Sequence, residues 1–269
     1  MSLNISEALS DGLRRTFERN GLLLMVGFLL LGAVDAVTGQ TVASAAARFL
    51  RGQLEQLPPE AVAGPATLPG PEQTPLALPV PLPVAFGLVV VVAFLAEAVR
   101  IVAVRTLVSD ETEGIPDEFL TRKLLWATVN GFIGGIIVSI LTLIGLVFLI
   151  VPGVYIALGL FFVRQEIAVE DKNALDALAG SWELTSGHRL ELLALAVVIV
   201  AVGIVVSLLA GVVDFAGITL LTTLVSVVLG AVTAVFGVAV AARAYVQLTG
   251  DQPDAEVDDA EESEWKVDV

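Results

Sequence analysis

Four polar side chains stand inside apolar stretches long enough to cross a bilayer: Asp35, Glu97, Arg100 and Asn130. An ionisable group at bilayer depth costs about 2.5–3.5 kcal/mol on insertion scales and is commonly kept for function, so these four form the candidate intramembrane polar site. The three-residue step from Glu97 to Arg100 puts both on one helix face, which reads first as a structural ion pair. The competing reading is a transport site, carried most by Glu97 and next by Asp35, although Asp35 falls near an outer interface where solvation alone would account for it. His188, with Glu183 and Glu191 near it in sequence, is the nearest thing to an acid–base group, but a lone His at the start of an apolar run fits an interfacial position better. No HExxH, nucleophile elbow or phosphate-binding loop occurs. With no Cys and one His, thiolate chemistry and a His-rich metal site are excluded, and no catalytic residue, metal or cofactor is expected.

Elements must hold these side chains, and composition says which. Of 269 residues, 56% are hydrophobic, with a mean hydropathy of +0.88; soluble domains are roughly 45–50% apolar. Uncharged runs of 40 residues (124–163), 22 residues (192–213) and 28 residues (215–242) exceed the ~20 needed to span. The expected fold is all-α, a polytopic transmembrane bundle of about six spanning helices plus short interfacial amphipathic helices, over residues 21–248. Spans fall at 21–39, interrupted near its far end by Asp35, then at 84–108, 190–213 and 218–245. The run from 124 would be about 60 Å long as one helix, so it folds back and supplies two spans. The break is "IVPGV" (150–154), with Pro152 suited to a first helical turn. Only eleven residues separate Pro152 from Arg164, so this fourth span crosses if it runs on through Val169 or if Arg164 snorkels; otherwise it is tilted or re-entrant. Glycines such as Gly131 and Gly134 read as close helix contacts.

Four further segments flank or interrupt the spans. Residues 1–20 form an amphipathic surface helix, with Asn4 as N-cap, Glu7 three residues on, and Ile5, Leu9, Leu13 and Phe17 as its apolar stripe; the Arg14–Arg15 pair is a poor export signal because Glu18 and Arg19 follow it. Residues 40–83 read as an external proline-rich loop, since nine of twelve prolines lie between 58 and 83. Residues 167–189 read as an interfacial helix capped by Asn173 with Asp176, presenting Leu175, Leu178 and Trp182 on one face and stopped by Gly187, with Trp182 at headgroup depth. Residues 249–269 read as an acidic disordered tail, with nine acids and one lysine.

The formal charge is −15, from 29 acids against 14 bases, only three of them lysine. That balance excludes nucleic acid and a polybasic lipid-binding surface, and acidity with Arg preferred to Lys suits a halophilic archaeal chain. Twelve of the 14 bases fall on one side of the spans, leaving Arg48 and Arg51 opposite, which predicts a cell-membrane protein with both termini cytoplasmic.

"VPGVYIALGLFFV", followed by "IAVED", "ALDAL" and "SWELTSGHRLELL", resembles the membrane domain attached to some glycerophosphoryl diester phosphodiesterases, and its stand-alone haloarchaeal relatives. The motif positions are Pro152, Gly153, Glu170, Asp171, Ser181, Trp182, Glu183, Leu184, Thr185 and Gly187, and "ALSDGLRRTFERNGLLL" resembles the opening of that domain. The resemblance covers residues 150–195 and is diffuse elsewhere. It implies a membrane scaffold and not the enzyme, because a phosphodiesterase barrel of about 250 residues would have to be present. The favoured expectation is therefore a non-enzymatic membrane protein that supports the envelope or scaffolds partners through its interfacial helices or acidic tail, its surroundings being the lipid bilayer. The alternative is a small permease or channel, in which Asp35, Glu97, Arg100 and Asn130 share one polar cavity; an intramembrane lipid enzyme has the thinnest support.

Overall fold

The structure, a computed structural model, describes residues 3–56, 68–214 and 219–250. Among them are ten helices and no strand: α1 (Ile5–Phe17), α2 (Arg19–Leu54), α3 (Leu82–Val108), α4 (Asp117–Thr121), α5 (Leu124–Phe148), α6 (Ile150–Gly159), α7 (Val163–Val169), α8 (Ala174–Leu184), α9 (Arg189–Asp214) and α10 (Thr219–Gly250). Six segments are long and apolar enough to cross a bilayer: α2, α3, α5, the α6–α7 unit Ile150–Val169, α9 and α10. The protein is a multi-pass membrane protein with an all-α bundle. Of the short turn "DFAG" (214–217) that joins the last two expected spans, residues 215–217 lie outside the described residues, as do the central proline-rich stretch 57–67 and all of the acidic tail beyond Gly250.

Asn4 caps α1 as its type predicts, its side chain accepting the Glu7 N–H. The face that α1 buries takes in half of the expected stripe, Ile5 and Leu9, which pack against the core. Ala8, Gly12, Arg15 and Thr16 face the bundle, while Leu13 and Phe17 are exposed. Gly12 sets this choice: a Cβ there would lie 2.5 Å from Val240 Cγ2 on α10, and only a small residue lets the two helices come that close.

Three expected boundaries change. α2 runs unbroken through Asp35 and on to Leu54, so the interruption at Asp35 does not occur and 40–54 is helix. That segment is Ala-rich and free of proline, which favours helix on propensity; the prolines begin only at Pro58. Described residues of the proline-rich segment lie along the extension, with Gln40 and Thr41 accepting the Leu76 and Leu78 N–H groups, and Arg48 and Arg51 donating to the carbonyls of Val80, Leu68 and Pro69. At the other end, α10 continues to Gly250, past the expected stop at Tyr245.

α5 and α6 form the expected hairpin, turning at the extended Leu149 with Pro152 in the first turn of α6. Gly145 and Gly153 meet there, a Cβ on Gly145 falling 2.7 Å from the Gly153 Cα. The fourth span is bent: residues 160–162 separate α6 from α7. α8 does not lie free on the surface. It packs on α7 and α5 through Ala174, Ala177, Ser181 and Leu184, leaving Leu175 exposed.

Two helices organise the bundle: α10 packs against α1, α2, α3 and α9, and α3 against α2, α5, α7 and α10. Packing is uneven along their length. Buried residues of α10 run from Ala231 to Leu248, and α9 contributes only Leu192 and Leu195, at its start, to the core. Toward the opposite end Val200, Ile204, Leu208 and Leu224 are all exposed. The bundle is closed at the end that carries the N-terminus and most of the arginines, here termed the basic end, and splays toward the far end.

Candidate functional site

At the basic end, arginines close the helix termini. The last carbonyls of a helix lack intrahelical donors, and those of α3 are met by two: Arg243 donates to the Leu107 and Val108 oxygens at 2.6 and 2.8 Å, and buried Arg15 to those of Ser109 and Glu111. Asn20 also reaches the Glu111 oxygen, so the start of α2 is level with the end of α3. Arg105, 3% exposed, does the same for α7 and α4. Its Nε donates to Ala168 O at 2.8 Å, its Nη1 to the Phe119 and Arg122 carbonyls, and its Nη2 lies 3.4 Å from Asp171 Oδ1. Asp171 has a φ of +52° and also faces Arg122 and Lys123.

The "SWELT" motif repairs the break in the fourth span. The Ser181 hydroxyl accepts the Phe162 N–H and donates to Gly159 O, each at 3.0 Å, and the Thr185 hydroxyl also donates to Gly159 O. Backbone groups freed between α6 and α7 are thereby satisfied inside the protein, as a membrane interior requires. Trp182 is held against Gly159, edge-on to Tyr155, with the Arg189 guanidinium 4.2 Å from its ring and 4.1 Å from that of Tyr155. It is a packing and cation–π element as well as a partly exposed ring. Leu184 joins the core, Gly187 (φ +87°) turns the chain into α9, and Glu170 closes α7.

In mid-bundle, Glu97 is buried and its main partner is Arg164, not Arg100. Arg164 Nε and Nη2 donate to the two carboxylate oxygens at 2.7 and 3.1 Å, whereas Arg100 Nη1 lies 3.7 Å away. Gly131 makes room: a Cβ there would stand 2.7 Å from Glu97 Oε1. Asn130 works elsewhere, its Oδ1 accepting the Ala174 N–H at the start of α8 and its Nδ2 donating to Trp126 O.

The far half of the bundle holds a cavity of about 680 Å³ between α2, α3 and α10, within the range of small-molecule sites. Its lining includes two charged residues, Asp35 and Arg100, with Gln40, Thr223 and Ser226 among the polar ones, over a floor of Ala96 and Ala231. The Arg100 side chain is 43% exposed, and Asp35 is exposed with no ion pair or hydrogen bond among the described residues. Thus Asp35 and Arg100 come together at one cavity, and Glu97 and Asn130 stay out of it.

A family model described as a domain of unknown function (DUF7847) matches residues 3–248. The chain belongs to the DUF7847 family. No curated protein and no solved structure matches it. The match takes in all six spans, so the arginine-closed end and the cavity both lie in the DUF7847 domain.

Sequence reasoning missed Arg164 as the partner of Glu97, 67 positions away, and Arg105 as a hub, whose partners lie 14 to 66 positions away. It also missed Glu166, buried on α7 and bonded to Lys172 and to the Tyr245 hydroxyl. The only available signal was charge within an apolar run. Glu183 lines a small cleft at the basic end with Glu166, Glu170 and Lys172, and the Nδ1 of His188 is buried without a partner among the described residues.

Proposed function

We propose that this DUF7847 protein binds a small polar or amphiphilic ligand within the membrane, as a permease-like or receptor-like protein and not an enzyme, with the basic end facing the cytoplasm and the cavity open toward the outside. The observation that carries the reading is the cavity itself, where Asp35 and Arg100 share one space in the splayed half of the bundle. Charges at bilayer depth that face a cavity mark ligand pathways by default. The orientation follows from the positive-inside rule. A kinship with the phosphodiesterase-linked membrane domain enters the proposal only as a shared scaffold, since the motif residues that carry the resemblance serve the bend at Gly159 and the α8 turn.

The test uses a chain without native cysteine. Single cysteines replace Ser226 and Ala96 in the cavity, and Val205 on the exposed apolar side of α9. In vesicles, a water-soluble thiol reagent added outside is expected to modify the two cavity positions and to leave Val205→Cys unreacted. Cavity cysteines as inert as Val205→Cys would overturn the reading.

A second reading, an envelope-supporting or partner-scaffolding body, is favoured by one observation: Glu97 and Asn130 are spent on internal contacts and do not face the cavity. A dry cavity in the same experiment would support it.

A further inference from the structure

The cavity carries one charge of each sign, Asp35 and Arg100, near enough to attract each other, with no ion pair between them and with only a 3.7 Å contact from Arg100 to Glu97. Glu97 gives both oxygens to Arg164, so the trio of Glu97, Arg164 and Arg100 has a surplus positive charge, borne by the half-exposed Arg100. Asp35, across the cavity on α2, has no ion pair within 4.0 Å among the described residues. Along the helices, Arg100 lies eight residues, about 12 Å, before the end of α3 at Val108, and Asp35 fifteen residues, about 22 Å, beyond Asn20, which meets the chain just past that end. The two helices run in opposite directions, and side chains lean toward a helix's own N-terminus. Arg100 therefore leans toward the far end and Asp35 toward the basic end, each toward the other.

An anion alone would meet Arg100 but be repelled by Asp35, and a cation alone would meet the reverse. From this we propose, resting on the cavity reading above, that the site takes a zwitterionic ligand, its carboxylate or phosphate on Arg100 and its ammonium on Asp35. Thr223 and Ser226 add hydroxyl oxygens to the same lining, and Ala96 and Ala231 add small apolar side chains. The same chemistry is offered by a short soluble ω-amino acid and by the head group of a zwitterionic phospholipid.

The experiment is thermal unfolding of the purified full chain in a neutral maltoside detergent, titrated with matched probes. The soluble set is 4-aminobutyrate with its half-analogues butyrate and butylammonium; the lipid set is dihexanoyl phosphatidylethanolamine against dihexanoyl phosphatidylglycerol. The expected result is a rise in Tm with the zwitterion of one set and none with its singly charged counterpart, the responding set naming the source. Asp35→Asn and Arg100→Gln should each weaken half-saturation roughly 10- to 100-fold, the worth of one charged hydrogen bond, while Asp35→Glu and Arg100→Lys retain binding. An equal response to butyrate and 4-aminobutyrate, unchanged in Asp35→Asn, would overturn the proposal in favour of a plain anion site. No response from either set would overturn it too. Thiol labelling then separates the two claims: labelled Ser226→Cys leaves the cavity function standing without the zwitterion, and unlabelled Ser226→Cys removes both.

Discussion

Replacing Glu97 by Gln keeps the side-chain volume and removes one charge, which leaves Arg164 and Arg100 facing each other across the site that Glu97 held. Breaking a buried ion pair by removing one partner costs about 3–5 kcal/mol, most of it the uncompensated charge left behind, so Glu97→Gln is expected to destabilise by that amount. Arg164→Gln is milder. Glu97 loses two charge-assisted bonds but still has Arg100 at 3.7 Å, for about 1.5–3 kcal/mol. Arg100→Gln removes only that longer contact from a half-exposed side chain and should cost about 0–1 kcal/mol. The double variant Glu97→Gln/Arg164→Gln should be less destabilised than the sum of the singles by about 1–3 kcal/mol, because the two act on one interaction. Reversible unfolding in mixed detergent micelles, followed by circular dichroism, reads all four. An Arg100→Gln protein less stable than Arg164→Gln would refute the pairing and restore the i,i+3 pair that sequence spacing suggests. Strict additivity would refute the coupling.

Three further substitutions probe the scaffold with the same assay. Ser181→Ala strands the Phe162 N–H and one bond to Gly159 O and should cost about 1–3 kcal/mol; a neutral effect would show that the bend does not need the hydroxyl. Gly145→Leu drives a Cβ to 2.7 Å from the Gly153 Cα, and because the neighbour is backbone the hairpin must open, for about 1–3 kcal/mol or more; full stability would place the two glycines further apart. Gly187→Ala asks an L-residue to adopt a φ of +87° and should cost about 1–2 kcal/mol, with Gly187→Asn falling between alanine and wild type.

What could be read in the sequence was local. The Asn4 and Asn173 caps, the hairpin around Pro152 and the six apolar segments rest on residues within a few positions of one another or on length alone. The faces of α1 and α8 were legible only in part: Ile5 and Leu9 on α1 and Leu178 on α8 do pack on the core. An amphipathic stripe marks the apolar side of a helix, but small residues are what let two helices approach closely, and they mark the packed side. Gly12 and Ala8 on α1, and Ala174 and Ala177 on α8, therefore turn inward, while Leu13, Phe17 and Leu175 turn out. The extension of α2 was hidden by prolines that begin only after it ends. The Glu97–Arg164 pair was hidden by distance along the chain, since no local pattern links positions 67 apart.

Polar groups of the closed half are largely partnered, although Gln165 Oε1, His188 Nδ1, Arg189 Nε and Arg243 Nε are buried without a hydrogen-bond partner among the described residues. Where the helices are closed, Arg15, Arg105, Arg243, Ser181 and Asn130 each satisfy backbone groups that would otherwise be stranded in an apolar medium, so their retention needs no ligand to explain it. Where the helices splay, that explanation fails for Asp35, and for Arg100 it covers only a contact of 3.7 Å that Arg164 makes redundant. Asp35 is exposed and makes no ion pair among the described residues, so beyond the attraction of Arg100 across the cavity its compensation comes from water or from a bound molecule. This has a measurable corollary. Neutralising Asp35 should leave the stability of the ligand-free protein unchanged within about 0.5 kcal/mol, as for a solvated surface site, whereas a loss as large as that of Glu97→Gln would mean that Asp35 has an internal partner and belongs with the scaffold.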